Sequence, residues 1–239
     1  MIKGLIFDLN GTLIDIYTSE SDDQIYRITA NFLDYYGIKI QPDSLREEYF
    51  SILRRQKKDS PEEFPEYDVL KLFQDISERY RSPKSAAPDP AMIATVFRAA
   101  GRYQLKLYDG VAETLSILKN DYSMAALSDG QAVWAIPEMI SVNLNQFLDF
   151  AIISSVYKFR KPDPRLYTVA LSKMNLLPEE VLFIGNDMYR DIFGAHNAGM
   201  KTVFFKSNQG EQGYCGANAD YIIYHFSELL NAIDFLNRK

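Results

Sequence analysis

Six short apolar segments rich in Ile, Val, Leu and Phe recur along the chain. They are apolar throughout rather than alternating, and helix-like segments lie between most of them after residue 110. The segments are GLIFDL, SMAALSD, FAIISS, VLFIGND, KTVFFK and DYIIYHF. Because strands that are covered on both faces form continuous apolar runs, this pattern predicts a parallel sheet with helices on both sides.

The interval from about residue 21 to residue 103 has a different pattern, with helical periodicity and no convincing strand. It therefore predicts a helical bundle of about 80 residues that interrupts the α/β pattern after its first strand. Two of its helices are predicted to begin at the capping boxes Ser21/Gln24 and Ser44/Glu47, and the other two to cover 69–80 and 92–100.

Three of the apolar runs end in polar residues. These ends are Asp8, the pair Ser128 and Asp129, and the pair Asn186 and Asp187. In open α/β sheets the ligand site lies beyond the carboxyl ends of the strands. The sequence thus predicts that these side chains converge on one site.

The composition narrows the possible partners. The 239 residues include 47% hydrophobic residues and carry a formal net charge of −6, with basic and acidic residues interspersed. This charge gives no broad basic surface for nucleic acid or an anionic membrane. The first residues include no apolar run long enough for a signal peptide or membrane span, which predicts a cytoplasmic protein. The single cysteine, Cys215, excludes an internal disulfide.

The stretch IFDLNGTLID permits two interpretations by itself. Asn-Gly between apolar runs is a strong hairpin signal, and Asp8 is then an acid at a strand edge. The alternative is that Asp8 is a functional carboxylate at a strand end. The other motifs of the chain favour the second interpretation.

Four motifs occur in a fixed order. They are DLNGTL at residues 8–13, ALSDG with Ser128, RKPDP at residues 160–164, and IGNDMYRDIFGAHNAGM at residues 184–200. Each motif is weak alone, but together they resemble the signature of the haloacid dehalogenase superfamily over nearly the whole chain. The resemblance implies a Rossmann-like three-layer α/β core with an inserted α-helical cap domain. It assigns residues 1–16 and 104–239 to the core and 17–103 to the cap.

The resemblance also implies the roles of individual residues. Asp8 is the expected nucleophile, which forms an aspartyl-phosphate, and Lys161 is expected to neutralise the phosphoryl group. The Ser128 hydroxyl and the backbone amide of Asp129 are expected to bind the phosphoryl oxygens. The further candidates for substrate contact are Thr12, which more readily supports the turn, and Tyr17.

Oxygen ligands without clustered His or Cys indicate Mg²⁺ as the cofactor. The expected ligands are the side chain of Asp8, the backbone carbonyl of Asn10, and the side chains of Asp187 and Asp191. The spacing leaves a second register open, in which Asn186 stands at the metal-binding position. For Asp191, a position that complements the helix dipole is an equally good interpretation.

Asn10 departs from the family pattern. In the phosphatases of this family an acid at this position protonates the leaving group and then activates water, and Asn cannot transfer that proton. We therefore predict a Mg²⁺-dependent phosphatase of a small phosphorylated metabolite, slow on poor leaving groups, that acts as a monomer or homodimer. The alternatives are a 2-haloacid dehalogenase and a phosphometabolite-binding protein with little turnover.

Overall fold

A parallel six-stranded sheet forms the centre of the computed structural model, which describes residues 1–83 and 86–238. The strand order in this sheet is β5-β4-β1-β6-β7-β8. The strands are β1 (Gly4–Phe7), β4 (Ser123–Ser128), β5 (Phe150–Ile153), β6 (Val181–Gly185), β7 (Lys201–Phe205) and β8 (Tyr221–Ile223). Each of the six apolar runs is therefore a strand of this sheet. The predicted α/β class and parallel sheet are confirmed.

The register of the central strand brings the predicted polar ends together. Phe7, the last residue of β1, pairs with Ala126 of β4 on one side and with Ile184 of β6 on the other. Because all three strands are parallel, the residues that follow these positions emerge at the same edge of the sheet. Asp8 thus lies between the ends of the two neighbouring strands.

A second, two-stranded sheet was not predicted. β2 (Ile14–Thr18) pairs in antiparallel fashion with β3 (Arg102–Leu107). β3 has no fully buried residue and lacks an apolar run, so it carries no pattern that reveals a strand. The hairpin interpretation of the Asn-Gly sequence is wrong, because β1 and β2 belong to different sheets.

Ten helices surround the two sheets in the described part of the chain. They are α1 (Asp23–Tyr35), α2 (Pro42–Asp59), α3 (Val69–Tyr80), α4 (Pro90–Gly101), α5 (Val111–Leu118), α6 (Ala132–Ser141), α7 (Ser154–Tyr157), α8 (Pro164–Met174), α9 (Gly194–Asn197) and α10 (Leu229–Asn237). Short 3₁₀ turns cover Leu144–Gln146, Pro178–Glu180 and Phe226–Glu228, and a π-helical turn covers Met188–Phe193. None of the described helices is long and apolar enough to cross a membrane.

Helices α1 to α4 lie between β2 and β3 and have an apolar core of their own. The rings of Tyr49 and Phe97 stack in it at 4.7 Å, and Phe97 also stacks on Trp134 of α6 at 6.3 Å. The four predicted helices are therefore present, and their core continues onto the α/β part of the chain. The limits of the cap domain at residues 17 and 103 stay a prediction.

The predicted starts of α1 and α2 need correction. The carboxylate of Asp22, not Ser21, caps α1 by accepting a hydrogen bond from the backbone N–H of Gln24. Helix α2 begins at Pro42, two residues before Ser44, and has no side-chain cap. Proline suits the first turn because its fixed φ is helical and its missing N–H has no partner there.

Candidate active site

Asp8 and Lys161 meet beyond the end of β1. The Lys161 ammonium donates hydrogen bonds to Asp8 Oδ1 and to Asp191 Oδ1, both at 2.6 Å, and to the Leu127 carbonyl at 3.2 Å. All three ionisable side chains are buried. The structure thus brings residues from the first, third and fourth motifs to one point, although Asp8 and Lys161 are 153 positions apart in sequence.

The charges in this cluster are coupled. Burial by itself lowers the pKa of the Lys161 ammonium, but the carboxylates of Asp191 and Asp8 outweigh burial and raise the pKa. The pKa of Asp191 is also raised, first by burial and then by the Asp8 carboxylate, although Lys161 opposes the change. Two carboxylates therefore share one ammonium, and Lys161 keeps its proton at neutral pH.

A small cavity of about 190 Å³ opens beside this cluster. Its lining residues are Asp8, Asn10, Asp129, Lys161, Asn186, Arg190, Asp191, Gln209 and Gly210. Two glycines allow the backbone to approach the Asn186 side chain. A Cβ at Gly11, where φ is +89°, would lie 2.2 Å from Asn186 Nδ2, and one at Gly210 would lie 2.6 Å from the same atom. Side chains at these positions would displace Asn186, so the close turns define one wall of the cavity.

Asp187, the predicted metal ligand, does not line the cavity. Its Oδ1 accepts hydrogen bonds from the backbone amides of Tyr189 and Arg190, and its Oδ2 accepts two from the Arg190 guanidinium. Burial by itself would raise the pKa of Asp187. The hydrogen bonds from Arg190 outweigh burial, so the pKa lies below its ordinary value. Asp187 therefore caps the π-helical turn, whereas Asn186 lines the small cavity together with Asp8.

Asp191 is positioned by the backbone as well as by Lys161. Its Oδ2 accepts hydrogen bonds from the amides of Asn186 and Asp187, each at 3.0 Å. Its carboxylate lies so close to β6 that a Cβ on Gly185 would be 2.3 Å from the Asp191 Cβ. Asp191 thus lines the cavity and also orders the end of β6.

The other predicted residues occupy different depths. Ser128 is buried at the end of β4, with its Oγ 3.3 Å from the Asp129 carbonyl, and the Asp129 carboxylate accepts from the Lys161 amide at 2.9 Å. Thr12 is fully buried and donates to Asn186 Oδ1 at 3.0 Å, which is the supporting position that the turn requires. Tyr17 is 60% exposed and lies at the margin of a larger cavity.

Sequence reasoning missed three residues of the small cavity. Arg190 lies three residues after Asp187, a spacing that brings the two side chains together on a helical turn. Gln209 and Gly210 come from the loop after β7, where no motif marks them. Only the parallel order of β6 and β7 places this loop beside Asn186.

A second cavity of about 710 Å³ lies next to the small one. The two cavities share Asn10, Asp129 and Gln209 as wall residues. Residues from the helical insertion, among them Glu20, Tyr67 and Arg98, line the far side. A ligand whose reacting group lies beside Asp8 can therefore extend into the larger cavity.

Glu66 connects the helical insertion to the segment that carries Lys161. The Ser154 hydroxyl donates to Glu66 Oε2 at 2.6 Å, the Glu66 amide donates to the Lys158 carbonyl, and the Arg160 amide donates to the Phe64 carbonyl. Burial raises the pKa of the Glu66 carboxyl above its ordinary value, although the Ser154 hydrogen bond opposes the shift.

We expect Glu66→Gln to make folding stability less dependent on pH. The folded protein holds the Glu66 proton more tightly than the unfolded chain, so stability falls as the pH rises above about 4.5. The loss is of the order of 1 kcal/mol for each unit of pKa shift, and Gln avoids it because it has no proton to lose. Urea unfolding at pH 5 and pH 7 measures the effect. Glu63→Gln, at an exposed neighbouring position, is the matched control, and equal pH dependence in the two variants contradicts the prediction.

The oxygen atoms that line the small cavity are of the kind that Mg²⁺ prefers as ligands. Its potential ligands are all oxygen atoms: the carboxylates of Asp8 and Asp191, the amide oxygen of Asn186 and the carbonyl of Asn10. The described residues contain no cluster of three or more Asp, Glu, His or Cys arranged to hold a metal. Among the potential ligands named here only Asp8 and Asp191 supply carboxylates, because Asn186 supplies an amide.

Comparisons with known proteins agree with the fold and the motifs. The glyceraldehyde 3-phosphate phosphatase of Pyrococcus furiosus is 28% identical over 236 residues, which cover 98% of this chain and 93% of the relative. The protein of the same name from Methanocaldococcus jannaschii is 26% identical over 246 residues and is matched along the full length of both chains.

Two solved structures have the same fold. The 2-haloacid dehalogenase of Pseudomonas syringae pv. tomato superimposes with a TM-score of 0.70 at 19% identity, and covers 98% of this chain and 99% of its own. The HAD phosphatase of Thermococcus onnurineus superimposes with a TM-score of 0.64 at 21% identity, over 97% and 98% of the two chains. The sequence also matches the family of haloacid dehalogenase-like hydrolases over residues 5–205. The chain therefore belongs to the haloacid dehalogenase-like hydrolases.

Proposed function

We propose that this hydrolase removes the phosphoryl group from a small phosphorylated metabolite in the cytoplasm, with Asp8 as the nucleophile. The observation that carries the proposal is the Lys161 ammonium, 2.6 Å from Asp8 Oδ1 and open to a cavity that Arg190 also lines. A carboxylate beside two cations can attack the phosphorus of an anionic phosphoryl group, since the cations offset the repulsion between the carboxylate and that group. The full-length likeness to glyceraldehyde 3-phosphate phosphatases supports the same reaction.

The reaction has two displacements. An Asp8 carboxylate oxygen forms a bond to phosphorus while the bond to the ester oxygen breaks, and the departing oxygen takes a proton from solvent to become an alcohol. Water then attacks the phosphorus of the aspartyl-phosphate and loses a proton, which releases inorganic phosphate and restores the Asp8 carboxylate. Lys161 stays charged through both steps and stabilises the phosphoryl oxygens. Mg²⁺, held by Asp8, Asp191, Asn186 and the Asn10 carbonyl, would add positive charge at the same oxygens.

Asn10 limits the first displacement. It lies at the border of both cavities, beside the leaving group in this proposal, and its amide has no acidic proton to transfer. The enzyme is therefore faster on acyl or aryl phosphates, whose leaving groups need little protonation, than on alkyl phosphates.

Release of inorganic phosphate with Mg²⁺ present tests the proposal. We expect hydrolysis of acetyl phosphate and p-nitrophenyl phosphate, and slower hydrolysis of glycerol 3-phosphate. Release of chloride from 2-chloropropionate without phosphate release would instead make the protein a dehalogenase. Tight binding of these phosphates without turnover would make it a binding protein.

Asn186→Asp is expected to strengthen Mg²⁺ binding. A third carboxylate at the cavity raises the negative charge of the ligand set, and charge count is a main determinant of affinity for hard divalent cations. We expect the Mg²⁺ concentration for half-maximal phosphate release to fall by about 10-fold or more. A Mg²⁺ titration of acetyl phosphate hydrolysis measures it, with Asn197→Asp at an exposed position as control. An unchanged midpoint would place the metal away from Asn186.

A further inference from the structure

Glu20 has a fixed position in the wall of the large cavity. It follows β2 and is half-buried, and its backbone carbonyl accepts a hydrogen bond from the Tyr26 hydroxyl at 2.7 Å. Its Oε2 accepts a hydrogen bond from the Tyr49 hydroxyl at 3.1 Å. Both tyrosines are buried in the core of the helical insertion. The Glu20 carboxylate is therefore held in place from behind, and no basic side chain of the described residues pairs with it.

The phenols behind Glu20 remain donors. Burial raises the pKa of Tyr49, and the nearby Tyr67 and Glu20 raise it further, while burial is also the main reason that the pKa of Tyr67 is raised. The Tyr49 and Tyr67 hydroxyl oxygens lie 3.4 Å apart. Because Tyr49 donates its proton to Glu20, the Tyr67 hydroxyl can donate to the Tyr49 oxygen. The lone pairs of the Tyr67 oxygen then remain available as acceptors. This wall of the cavity thus presents hydrogen-bond acceptors.

The cavity has little to attract a second anion. Arg98 is the one basic side chain among the described residues that line it. Its guanidinium donates to both oxygens of Glu138, at 2.7 and 3.1 Å, and lies over the Trp134 ring at 5.1 Å. Asp15 and Asp129 add two more carboxylates to the wall, and each is paired with basic side chains that do not line this cavity. Among the described residues, a carboxylate or second phosphate on the leaving group would therefore find no unpaired cation in this wall and would meet the unpaired Glu20 carboxylate.

We propose that Glu20 determines specificity by selecting a leaving group that donates hydrogen bonds, either a polyol or an ammonium group, and that carries no second anion. This inference rests on the proposed phosphatase function, because it assumes that the phosphoryl group lies in the small cavity beside Asp8. From there the leaving group extends past Asn10 and Gln209 into the large cavity, where its hydroxyl or ammonium hydrogens bind the free oxygen of Glu20.

Four three-carbon esters that differ in their functional groups test the proposal. They are 3-aminopropyl phosphate, glycerol 3-phosphate, propyl phosphate and 3-phosphoglycerate. Their inhibition constants against acetyl phosphate hydrolysis report binding even if each ester is hydrolysed slowly. We expect the aminopropyl and glycerol esters to bind more tightly than propyl phosphate, and 3-phosphoglycerate to bind more weakly. The ratio of the aminopropyl and glycerol constants distinguishes the two donor groups.

Glu20→Gln is expected to weaken binding of 3-aminopropyl phosphate by roughly 10- to 100-fold, since the amide keeps an acceptor oxygen but loses the negative charge that pairs with the ammonium group. The same change should strengthen binding of 3-phosphoglycerate, a reversal that a loss of folding cannot produce. Glu47→Gln, at an exposed position of α2, is the matched control. Equal effects of Glu20→Gln on all four esters, or tightest binding of 3-phosphoglycerate to the unmodified protein, would overturn the proposal.

The two hypotheses fail in different ways. If acetyl phosphate is not hydrolysed at all, the proposed phosphatase function is wrong. The order of the four dissociation constants can then be measured by calorimetry and still tests Glu20. If acetyl phosphate is hydrolysed but the order is reversed, the phosphatase function stands and the Glu20 inference is wrong.

Discussion

Replacement of Asp8 by asparagine is expected to abolish phosphate release from every substrate. The change removes the nucleophile of the covalent step, and removal of a nucleophile costs about 10⁴-fold or more in kcat. Folding should be preserved, because Lys161 keeps its hydrogen bonds to Asp191 and to the Leu127 carbonyl. Steady-state release of phosphate from acetyl phosphate, together with thermal unfolding of the variant, measures both effects.

Asp89→Asn makes the same chemical change at a site remote from the reaction. Asp89 caps α4 by accepting a hydrogen bond from the Ala91 amide, and Asn is an equally good cap. This control should retain full activity. Turnover by a folded Asp8→Asn protein at more than a few per cent of the original rate would exclude the covalent mechanism, since asparagine has no carboxylate to attack phosphorus.

Asn10→Asp is expected to raise turnover on alkyl phosphates. An aspartic acid at this position can protonate the departing oxygen and then take a proton from the attacking water. General acid and base catalysis contributes about 10² to 10⁴ in rate, which corresponds to roughly 3 to 5 kcal/mol of activation free energy. The gain should be smaller on p-nitrophenyl phosphate and on acetyl phosphate, whose leaving groups need less protonation.

Steady-state kinetics on glycerol 3-phosphate and p-nitrophenyl phosphate at fixed Mg²⁺ measures the two gains. Asn31→Asp, at an exposed position of α1, provides the control for the added charge. The dependence on Mg²⁺ should change less than the rate, because the backbone carbonyl of residue 10 is present in both proteins. No gain on either ester would mean that Asn10 does not stand at the acid/base position.

The main sheet and the four helices of the insertion could be predicted from the sequence. Strands β1 and β6 are covered on both faces, so all their residues are apolar or small, and this pattern predicts a buried strand. Periodicity likewise predicted α3 at the residues where it is found. β3 was missed, because a strand without buried residues is defined by its pairing with β2 and not by an apolar pattern of its own.

The motifs that contain Asp8 and Lys161 could also be identified from the sequence. Asp8 follows a buried strand, and Lys161 lies within the short motif RKPDP. The sequence left open whether Asn186 or Asp187 stands at the metal-binding position. The directions of these adjacent side chains depend on the turn that follows them, which is formed only in the folded chain. In the folded protein the Arg190 guanidinium binds the Asp187 carboxylate, whereas Asn186 lines the small cavity.

The wall of the large cavity was likewise decided only by the tertiary structure. Glu20, Arg98 and Gln209 come from three distant parts of the chain, and none has a local pattern that marks it. The packing of the helical insertion against the sheet places these side chains around one cavity. Local sequence determines which elements form, whereas the contacts between elements determine which side chains face a ligand.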